Sequence, residues 1–211
     1  MQTKILESLE NRYATKSFSD KKIPDQDMKV LMESMRLSPS SFGLQPWKFI
    51  KVQNKDIRES LVAHSRNQRQ IADSSDLFVF CMPTNLDTKW IDKYIDNIVQ
   101  TRWVSVDSLK WYADMMYGFF ANSNQDQIQI RAHEQIFIAL GFLLNTCALI
   151  NIDACPIWWF DKSKYDEILW LKEKNLTSVV VCPVWYRSED DKYATLPKVR
   201  FAQDDVFLII K

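Results

Sequence analysis

The sequence predicts a single α+β domain of 211 residues. Two observations indicate this class. Short apolar runs typical of buried strands are interspersed with longer stretches of helical periodicity, and no repeat, low-complexity tract or linker divides the chain. A chain of this length is sufficient to enclose one sizeable hydrophobic core. We therefore expect residues 1–211 to form one domain.

Helices and strands are predicted to alternate in the first half of the chain. Apolar spacing from Ile5 to Leu9 indicates a short N-terminal helix. A second helix is expected to begin after Pro24 and to end near Ser38, because Pro39 disfavours helical geometry in the residue before it. Asn54 is a suitable N-cap for a third helix, which runs to about His64. The strands of this half are expected over 47–52 and 77–82.

The second half begins with a broken helical pattern over 87–117. The strongest predicted helix, Ile128–Ile150, comes next. This helix is apolar over much of its surface, so we expect it to be central and packed on several sides. Asn151 and Asn175 are predicted to end helices, because asparagine tolerates left-handed backbone geometry. Buried strands are expected over 178–185 and Val206–Ile210. The C-terminal strand must pair with an edge of its own sheet or with a partner subunit.

Composition excludes several classes of function. Lys+Arg and Asp+Glu balance at 27 each, so no net field favours nucleic acid or an anionic membrane. With only 3 glycines, the chain cannot build a dinucleotide fingerprint or a P-loop, so side chains would have to hold a nucleotide-like cofactor. The apolar runs are far shorter than a membrane span. The 8 Trp, 7 Tyr and 12 Phe include more aromatic surface than a core needs, which favours a partner subunit or a planar ligand.

The four cysteines lie in or beside apolar stretches and form no CxxC pair. This pattern favours buried free thiols over disulfides or metal ligands. The N-terminal residues contain no signal-peptide apolar core, so a cytoplasmic location is expected. The two histidines, His64 and His133, are expected to be structural or solvent-facing rather than catalytic.

Three segments contain residues suited to binding a phosphate or a planar ring. Arg12 and Lys16 lie four residues apart near a helix end, and Lys198 and Arg200 alternate in extended chain. Either pair suits a phosphate, although a solvated surface is the simpler alternative. Between helix and strand, the segment 38–47 combines two prolines with three serines, which is compatible with a capped connector or a ligand-binding loop.

In combination and order, these segments resemble the nitroreductase family. The resemblance rests on Arg-Tyr-Ala-Thr-Lys at 12–16, Ser-Pro-Ser-Ser-x-x-x-Gln-Pro-Trp at 38–47 and Leu-Pro-Lys-x-Arg at 196–200. Together with intermediate segments, it covers nearly the whole chain. It implies a mainly antiparallel sheet flanked by helices, a homodimer in which the C-terminal strand is exchanged, and FMN that is bound at the dimer interface and reduced by NADH or NADPH.

The resemblance also implies which residues bind FMN. The phosphate and its binding segment would involve Arg12, Tyr13, Ala14, Lys198 and Arg200. The pyrimidine edge of the flavin would be contacted by Lys16 and Asn67. The ring system would lie along Pro156, Ile157, Trp158 and Trp159, with Pro39, Ser40 and Ser41 supplied by the other subunit. No catalytic side chain and no metal is implied, because the flavin itself accepts and donates the hydride.

At two positions the sequence departs from the family pattern. Gln70 stands where many members carry a second lysine, which predicts weaker electrostatic stabilisation of reduced flavin. Trp158-Trp159 stands where relatives often have Glu-Gly. These tryptophans either pack in the core or narrow the pocket over the flavin.

A pocket for the acceptor is expected in the aromatic segment 103–124, which in relatives covers the site of the neighbouring subunit. The residues assigned to this pocket are Phe42, Tyr112, Phe119 and Phe120. Hydrophobic packing explains the same residues equally well.

The resemblance therefore predicts an NAD(P)H-dependent FMN oxidoreductase that reduces nitroaromatics, quinones or related planar acceptors in two successive half-reactions. Alternatives are a specialised flavin reductase or dehalogenase of the same family, and a non-enzymatic FMN-binding redox sensor. A structural dimer without cofactor is a third alternative.

Overall fold

The computed structural model describes residues 2–210. Four strands form its sheet: β1 (Lys48–Val52), β2 (Asp76–Pro83), β3 (Asp153–Ala154) and β4 (Leu176–Trp185). The helices are α1 (Gln2–Asn11), α2 (Asp25–Arg36), α3 (Lys55–Val62), α4 (Gln70–Asp73), α5 (Thr88–Arg102), α6 (Lys110–Ala121), α7 (Gln125–Leu149), α8 (Lys162–Ile168) and α9 (Gln203–Val206). The predicted α+β class is confirmed.

The sheet has the strand order β1-β2-β4-β3, and all three pairings are antiparallel. The central strands β2 and β4 are almost completely buried, as expected of strands covered on both faces. A register irregularity between Phe80 and Cys81 interrupts their ladder. The predicted mainly antiparallel sheet is thus confirmed, and both predicted central strands lie in it.

Local signals in the sequence set several helix ends as predicted. The Asn54 side chain accepts a hydrogen bond from the backbone N–H of Ile57 at 3.0 Å and so caps α3. Asn151 and Asn175 have left-handed backbones, with φ of 58° and 53°, just after α7 and a short 3-10 turn. The broken pattern over 87–117 corresponds to α5 and α6, which a 3-10 turn separates.

The long helix α7 packs against α1, α2 and the sheet through one face only. The opposite face carries Ile130, Phe137, Ile138 and Phe142, which are all exposed. The prediction of packing on several sides is therefore wrong for the single chain. Among the described residues one helix, α7, is long and apolar enough to cross a membrane by length and composition alone, a test that core helices of soluble proteins also pass.

The predicted C-terminal strand Val206–Ile210 is not part of the sheet within this chain. Val206 ends the one-turn helix α9, and residues 207–210 continue without a strand partner in the part of the chain described. Leu208 and Ile210 are each 89% exposed. Pairing with an edge of its own sheet, one of the two alternatives, is thereby excluded, because the strand order contains no C-terminal strand.

Leu143 tests the importance of the buried face of α7, because its side chain is 0% exposed. We expect Leu143→Ala to lower the free energy of unfolding by about 2–5 kcal/mol, since it removes apolar contacts and leaves a cavity. Urea denaturation measures this change. Glu134→Ala, at an exposed position of the same helix, should change it by less than about 0.5 kcal/mol. Equal effects of the two substitutions would contradict the burial of Leu143.

Candidate functional site

The segment that follows α1 and the segment near the C-terminus meet in one open cleft of about 1020 Å³. The two segments are 186 residues apart in sequence at the closest hydrogen bond, which the Lys198 ammonium donates to the carbonyl oxygen of Arg12. Residues predicted to bind FMN make up much of the cleft lining: Arg12, Tyr13, Ala14, Lys16, Lys198 and Arg200. The fold therefore brings together both cation pairs that the sequence indicated, and we call this site the cation cleft.

The cations Arg12, Lys198 and Arg200 outnumber Glu10, the one carboxylate in the described lining of this cleft. Within residues 2–210, no ion pair to a carboxylate is formed by Arg12, Lys198 or Arg200. Desolvation and the nearby Arg12 and Arg200 charges lower the pKa of Lys198, while Glu10 opposes the shift. A bound anion would offset this repulsion. Three cations with planar and point-charge donors fit a phosphate group.

Asp191 fastens the two segments of this cleft to each other. One of its carboxylate oxygens accepts backbone N–H bonds from Lys16 at 2.7 Å and Ser17 at 3.0 Å, and the other accepts one from Tyr193 at 3.0 Å. Asp191 is only 4% exposed. Burial opposes its ionisation, but these N–H donors outweigh burial and lower the pKa of the carboxyl group. Asp191 was not predicted, because in sequence it belongs to an acidic run typical of an exposed turn.

A third segment, 153–157, lies beside the first. Ala14 and Ala154 form a parallel bridge, and the Lys16 ammonium is 3.8 Å from the Cys155 sulfur. The backbone N–H of Ile157 donates to the Val181 carbonyl at 2.7 Å, which holds this segment against β4. Pro156 and Ile157 thus directly follow Cys155, which contacts Lys16 of the cation cleft, but the Ile157 side chain is buried in the core, and the assignment of both residues to the flavin stays a prediction.

An ion pair between Arg187 and Asp153 holds the third segment near the first. Arg187 donates to Asp153 through its side chain, with one bond of 2.9 Å, and its backbone N–H donates to the same carboxylate at 2.8 Å. The Arg187 guanidinium also lies 4.6 Å from the centre of the Tyr13 ring. The pair thus orders Tyr13, which the sequence placed in the binding segment. Nothing in the sequence indicated this pair, since its members are 34 residues apart.

Trp158 and Trp159 continue the third segment out to the surface. Their rings pack edge to face at 6.1 Å, and they are 54% and 59% exposed. The alternative that both tryptophans pack in the core is therefore wrong. They line a separate cleft of about 590 Å³ together with residues of the turn after α3.

Asn67 lies between α3 and α4, and Gln70 lies at the start of α4. Asn67 is exposed and has a left-handed backbone, with φ of 56°, and its N–H donates to the Val62 carbonyl at 3.1 Å. Gln70 is the first residue of α4 and is buried. Within residues 2–210 neither side chain lines the cation cleft, so their assignment to flavin binding stays a prediction.

Residues 38–47, here called the serine-rich loop, contact α7 and do not line the cation cleft of the same chain. The Ser41 N–H donates to the Gln135 side chain at 2.8 Å, and the Ser40 hydroxyl accepts from the Gln45 N–H at 2.9 Å. Tight turns at Phe42 and Gln45, with φ of 55° and 49°, shape the loop. Pro39, Ser40 and Ser41 do not line the cation cleft of this chain, so their assignment to the FMN of another subunit stays a prediction.

The four residues assigned to an acceptor pocket do come together. The Tyr112 hydroxyl donates to the Phe42 carbonyl at 2.7 Å, and the Phe119 ring packs 5.7 Å from Phe42 and 5.9 Å from Phe120. The Arg131 guanidinium lies 4.8 Å from the centre of the Phe119 ring. This aromatic cluster borders the serine-rich loop, so loop and cluster form one surface.

Comparison with known proteins identifies the family. The nitroreductase family model matches residues 9–184. A protein of Staphylococcus saprophyticus, provisionally named an NAD(P)H nitroreductase, is 34% identical, with 98% of this chain and 96% of that protein covered. An oxygen-insensitive NAD(P)H nitroreductase of Salmonella typhimurium is also 34% identical, over 90% of this chain and 91% of its own length. The chain belongs to the nitroreductase family.

The fold has solved counterparts. A protein of Exiguobacterium sibiricum, provisionally named a nitroreductase and crystallised in complex with FMN, superposes with a TM-score of 0.83 at 18% identity. The superposition covers 98% of this chain and 97% of that one. The nitroreductase fold is therefore present over the described chain, which confirms the resemblance drawn from the sequence.

Asp191 provides a test of how the cleft is held together. In Asp191→Asn, an NH₂ group replaces one of the two carboxylate oxygens that accept the backbone N–H bonds. The free energy of unfolding should therefore fall by about 1.5–3 kcal/mol near neutral pH. Urea denaturation across a pH series measures it. Because the pKa of Asp191 is lowered in the folded state, its contribution is complete above the unfolded pKa and is lost as the pH falls through the folded value. The difference between wild type and variant should thus be constant above about pH 5 and narrow in acid.

Asp190→Asn is the matched control, since Asp190 is the exposed neighbour of Asp191. It should leave both the unfolding free energy and its pH dependence close to those of the wild type. A pH-independent difference for Asp191→Asn would show that the carboxylate charge is unimportant.

Proposed function

We propose that this protein is an FMN-dependent NAD(P)H oxidoreductase that works as a cytoplasmic homodimer and reduces planar acceptors such as nitroaromatics and quinones. The observation that carries the proposal is a cleft within a nitroreductase fold that brings together three cations, Arg12, Lys198 and Arg200, none of which forms an ion pair within residues 2–210. The relatives are named NAD(P)H nitroreductases, which supports NADH or NADPH as the reductant.

Each segment of the cleft has a distinct part in this proposal. Arg12, Lys198 and Arg200 would bind the FMN phosphate through charge-assisted hydrogen bonds. Lys16 would lie near the flavin ring, where a positive charge favours the reduced form. Pro156 and Ile157 would border the ring plane. When bound, FMN supplies hydride acceptance from NAD(P)H and hydride donation to a second substrate.

The protein's own contribution is binding and exclusion rather than proton transfer. Burial raises the pKa of the Cys155 thiol, with Lys16 opposing the shift, so this group next to the cleft is a neutral thiol. Burial and the Lys162 charge lower the pKa of His133. The His133 ring packs against the Phe137 ring at 5.2 Å. The residues around the cleft thus position the two substrates in turn, and no side-chain acid or base is assigned.

A homodimer is supported by apolar surface that the single chain leaves uncovered. The exposed face of α7 and the C-terminal residues Phe207–Ile210 both carry large hydrophobic side chains in contact with solvent. Such surfaces are typical of subunit interfaces. A dimer in which they are covered would also allow the serine-rich loop and the aromatic cluster of one subunit to border the cation cleft of the other. Phe42, Tyr112, Phe119 and Phe120 would then contact the acceptor.

The visible absorption spectrum tests the proposed activity directly. The purified protein should carry the absorbance of oxidised flavin, anaerobic NADH or NADPH should bleach it, and a nitroaromatic or quinone should restore it. A flavin that neither nucleotide reduces would indicate a redox sensor instead. A colourless protein that binds no added FMN would contradict the cofactor as well as the activity.

Lys198 tests the phosphate site separately from the rest of the cofactor. Because Lys198→Gln removes one charge-assisted contact, it should weaken FMN binding about 10-fold to 100-fold while leaving riboflavin, which lacks the phosphate, unchanged. Fluorescence titration of the apoprotein measures both affinities. Lys192→Gln, at an exposed lysine of the same segment, is the control and should bind FMN normally. Equal weakening toward FMN and riboflavin would place the phosphate elsewhere.

A further inference from the structure

The second cleft, formed by the tryptophan pair, combines exposed aromatic rings with positive charge. Trp158 and Trp159 line it, together with His64, Arg66 and Lys162. Its volume of about 590 Å³ is within the range of small-molecule sites. Both tryptophans are more than half exposed, so they present aromatic surface to a ligand in this cleft.

Arg66 is a positively charged residue of the lining of this cleft. It follows the 3-10 turn Ala63–Ser65 and has a left-handed backbone, with φ of 53°. Its guanidinium stacks 4.4 Å from the centre of the Trp159 ring. This cation–π contact does not use the guanidinium N–H groups as hydrogen-bond donors to a carbonyl or carboxylate, so they can bind a carboxylate or phosphate.

The balance of charge in the cleft favours an anion. Arg66 and Lys162 are positive, and within residues 2–210 neither forms an ion pair. The one carboxylate of the lining, Asp161, already accepts the backbone N–H of Lys164 at 3.1 Å. His64 adds a further donor. Since Arg66 and Lys162 outnumber the single carboxylate Asp161, the described lining has a net positive charge that an anion would offset.

The cleft is also close to the cation cleft proposed for FMN. Lys16 contacts Cys155, and Trp158 follows Cys155 by three residues, a distance of about 10 Å in extended chain. A planar molecule lying along the tryptophans would thus approach the proposed flavin edge with one end and Arg66 with the other.

We propose that this cleft selects planar aromatic acceptors that carry an anionic group, with Arg66 binding the anion and the tryptophan pair binding the ring. This specificity rests on the proposed function for its chemistry, since the acceptor is reduced at the neighbouring flavin. The binding preference itself depends only on residues of the second cleft.

A matched pair of acceptors tests the proposal: 4-nitrobenzoate, which carries a carboxylate, and 4-nitrobenzamide, which is neutral and similar in shape. The FMN-loaded protein should show a kcat/KM with NADH that is about tenfold higher for 4-nitrobenzoate, and calorimetry should show tighter binding of it. Arg66→Gln should abolish this preference by lowering only the 4-nitrobenzoate values about tenfold. Arg66→Lys should retain part of the preference. Added salt should weaken 4-nitrobenzoate alone.

Arg69→Gln is the matched control, because Arg69 is an exposed arginine three residues away whose charge is paired with Glu59 and Asp73. It should keep the wild-type preference. If NADH reduces the flavin and both acceptors react and bind alike, the inference is overturned and the proposed function stands. If NADH does not reduce the flavin but the binding preference and its loss in Arg66→Gln are observed, the inference stands and the proposed function fails. An equal fall in kcat/KM and affinity for both acceptors in Arg66→Gln would also overturn the inference.

Discussion

The hydrogen bonds of Asp191 are the interaction on which the cation cleft depends. A single buried carboxylate accepts backbone N–H groups from Lys16 and Ser17 on one side and from Tyr193 on the other. Because the segment bearing Lys198 and Arg200 has no strand pairing of its own, these bonds and the contact with the Arg12 carbonyl fix its position. Charges that repel one another can only be kept together if the backbones that carry them are fastened independently of those charges.

This solution differs from that of proteins that bind nucleotides with glycine-rich loops. There, backbone N–H groups surround the phosphate, and glycines allow the close approach. Here 3 glycines serve the whole chain, and the proposed phosphate ligands are long side chains from segments far apart in sequence. Such a site exists only when the complete fold has formed, so binding of the phosphate and stability of the domain are linked.

The sequence predicted local features well. The cap at Asn54, the left-handed residues Asn151 and Asn175, and the central strands follow from short-range rules, and all were found. The cation pairs were also recognised, because ordered motifs marked them. The pairs Asp191–Lys16 and Asp153–Arg187 were missed, since residue type and spacing carry no information on contacts between distant segments.

The environment of α7 and of the C-terminal residues shows a different limit. Periodicity identified both segments as apolar, but it did not distinguish apolar surface that packs within a chain from surface that the chain leaves exposed. Val206–Ile210 was predicted as a strand because its residues favour that geometry, yet a strand requires a partner, and the described residues 2–210 provide none. The same ambiguity applies to Trp158 and Trp159, whose exposure only the fold reveals.

The burial of all four cysteines has a chemical consequence for a protein proposed to handle quinones. Quinones are electrophiles that alkylate thiolates, and a thiol reacts only to the extent that it ionises and is accessible. Burial raises the pKa of Cys81, Cys147, Cys155 and Cys182, and none is exposed. The protein can therefore meet such electrophiles repeatedly without forming covalent adducts at sulfur, even at Cys155, whose sulfur lies 3.8 Å from the Lys16 ammonium.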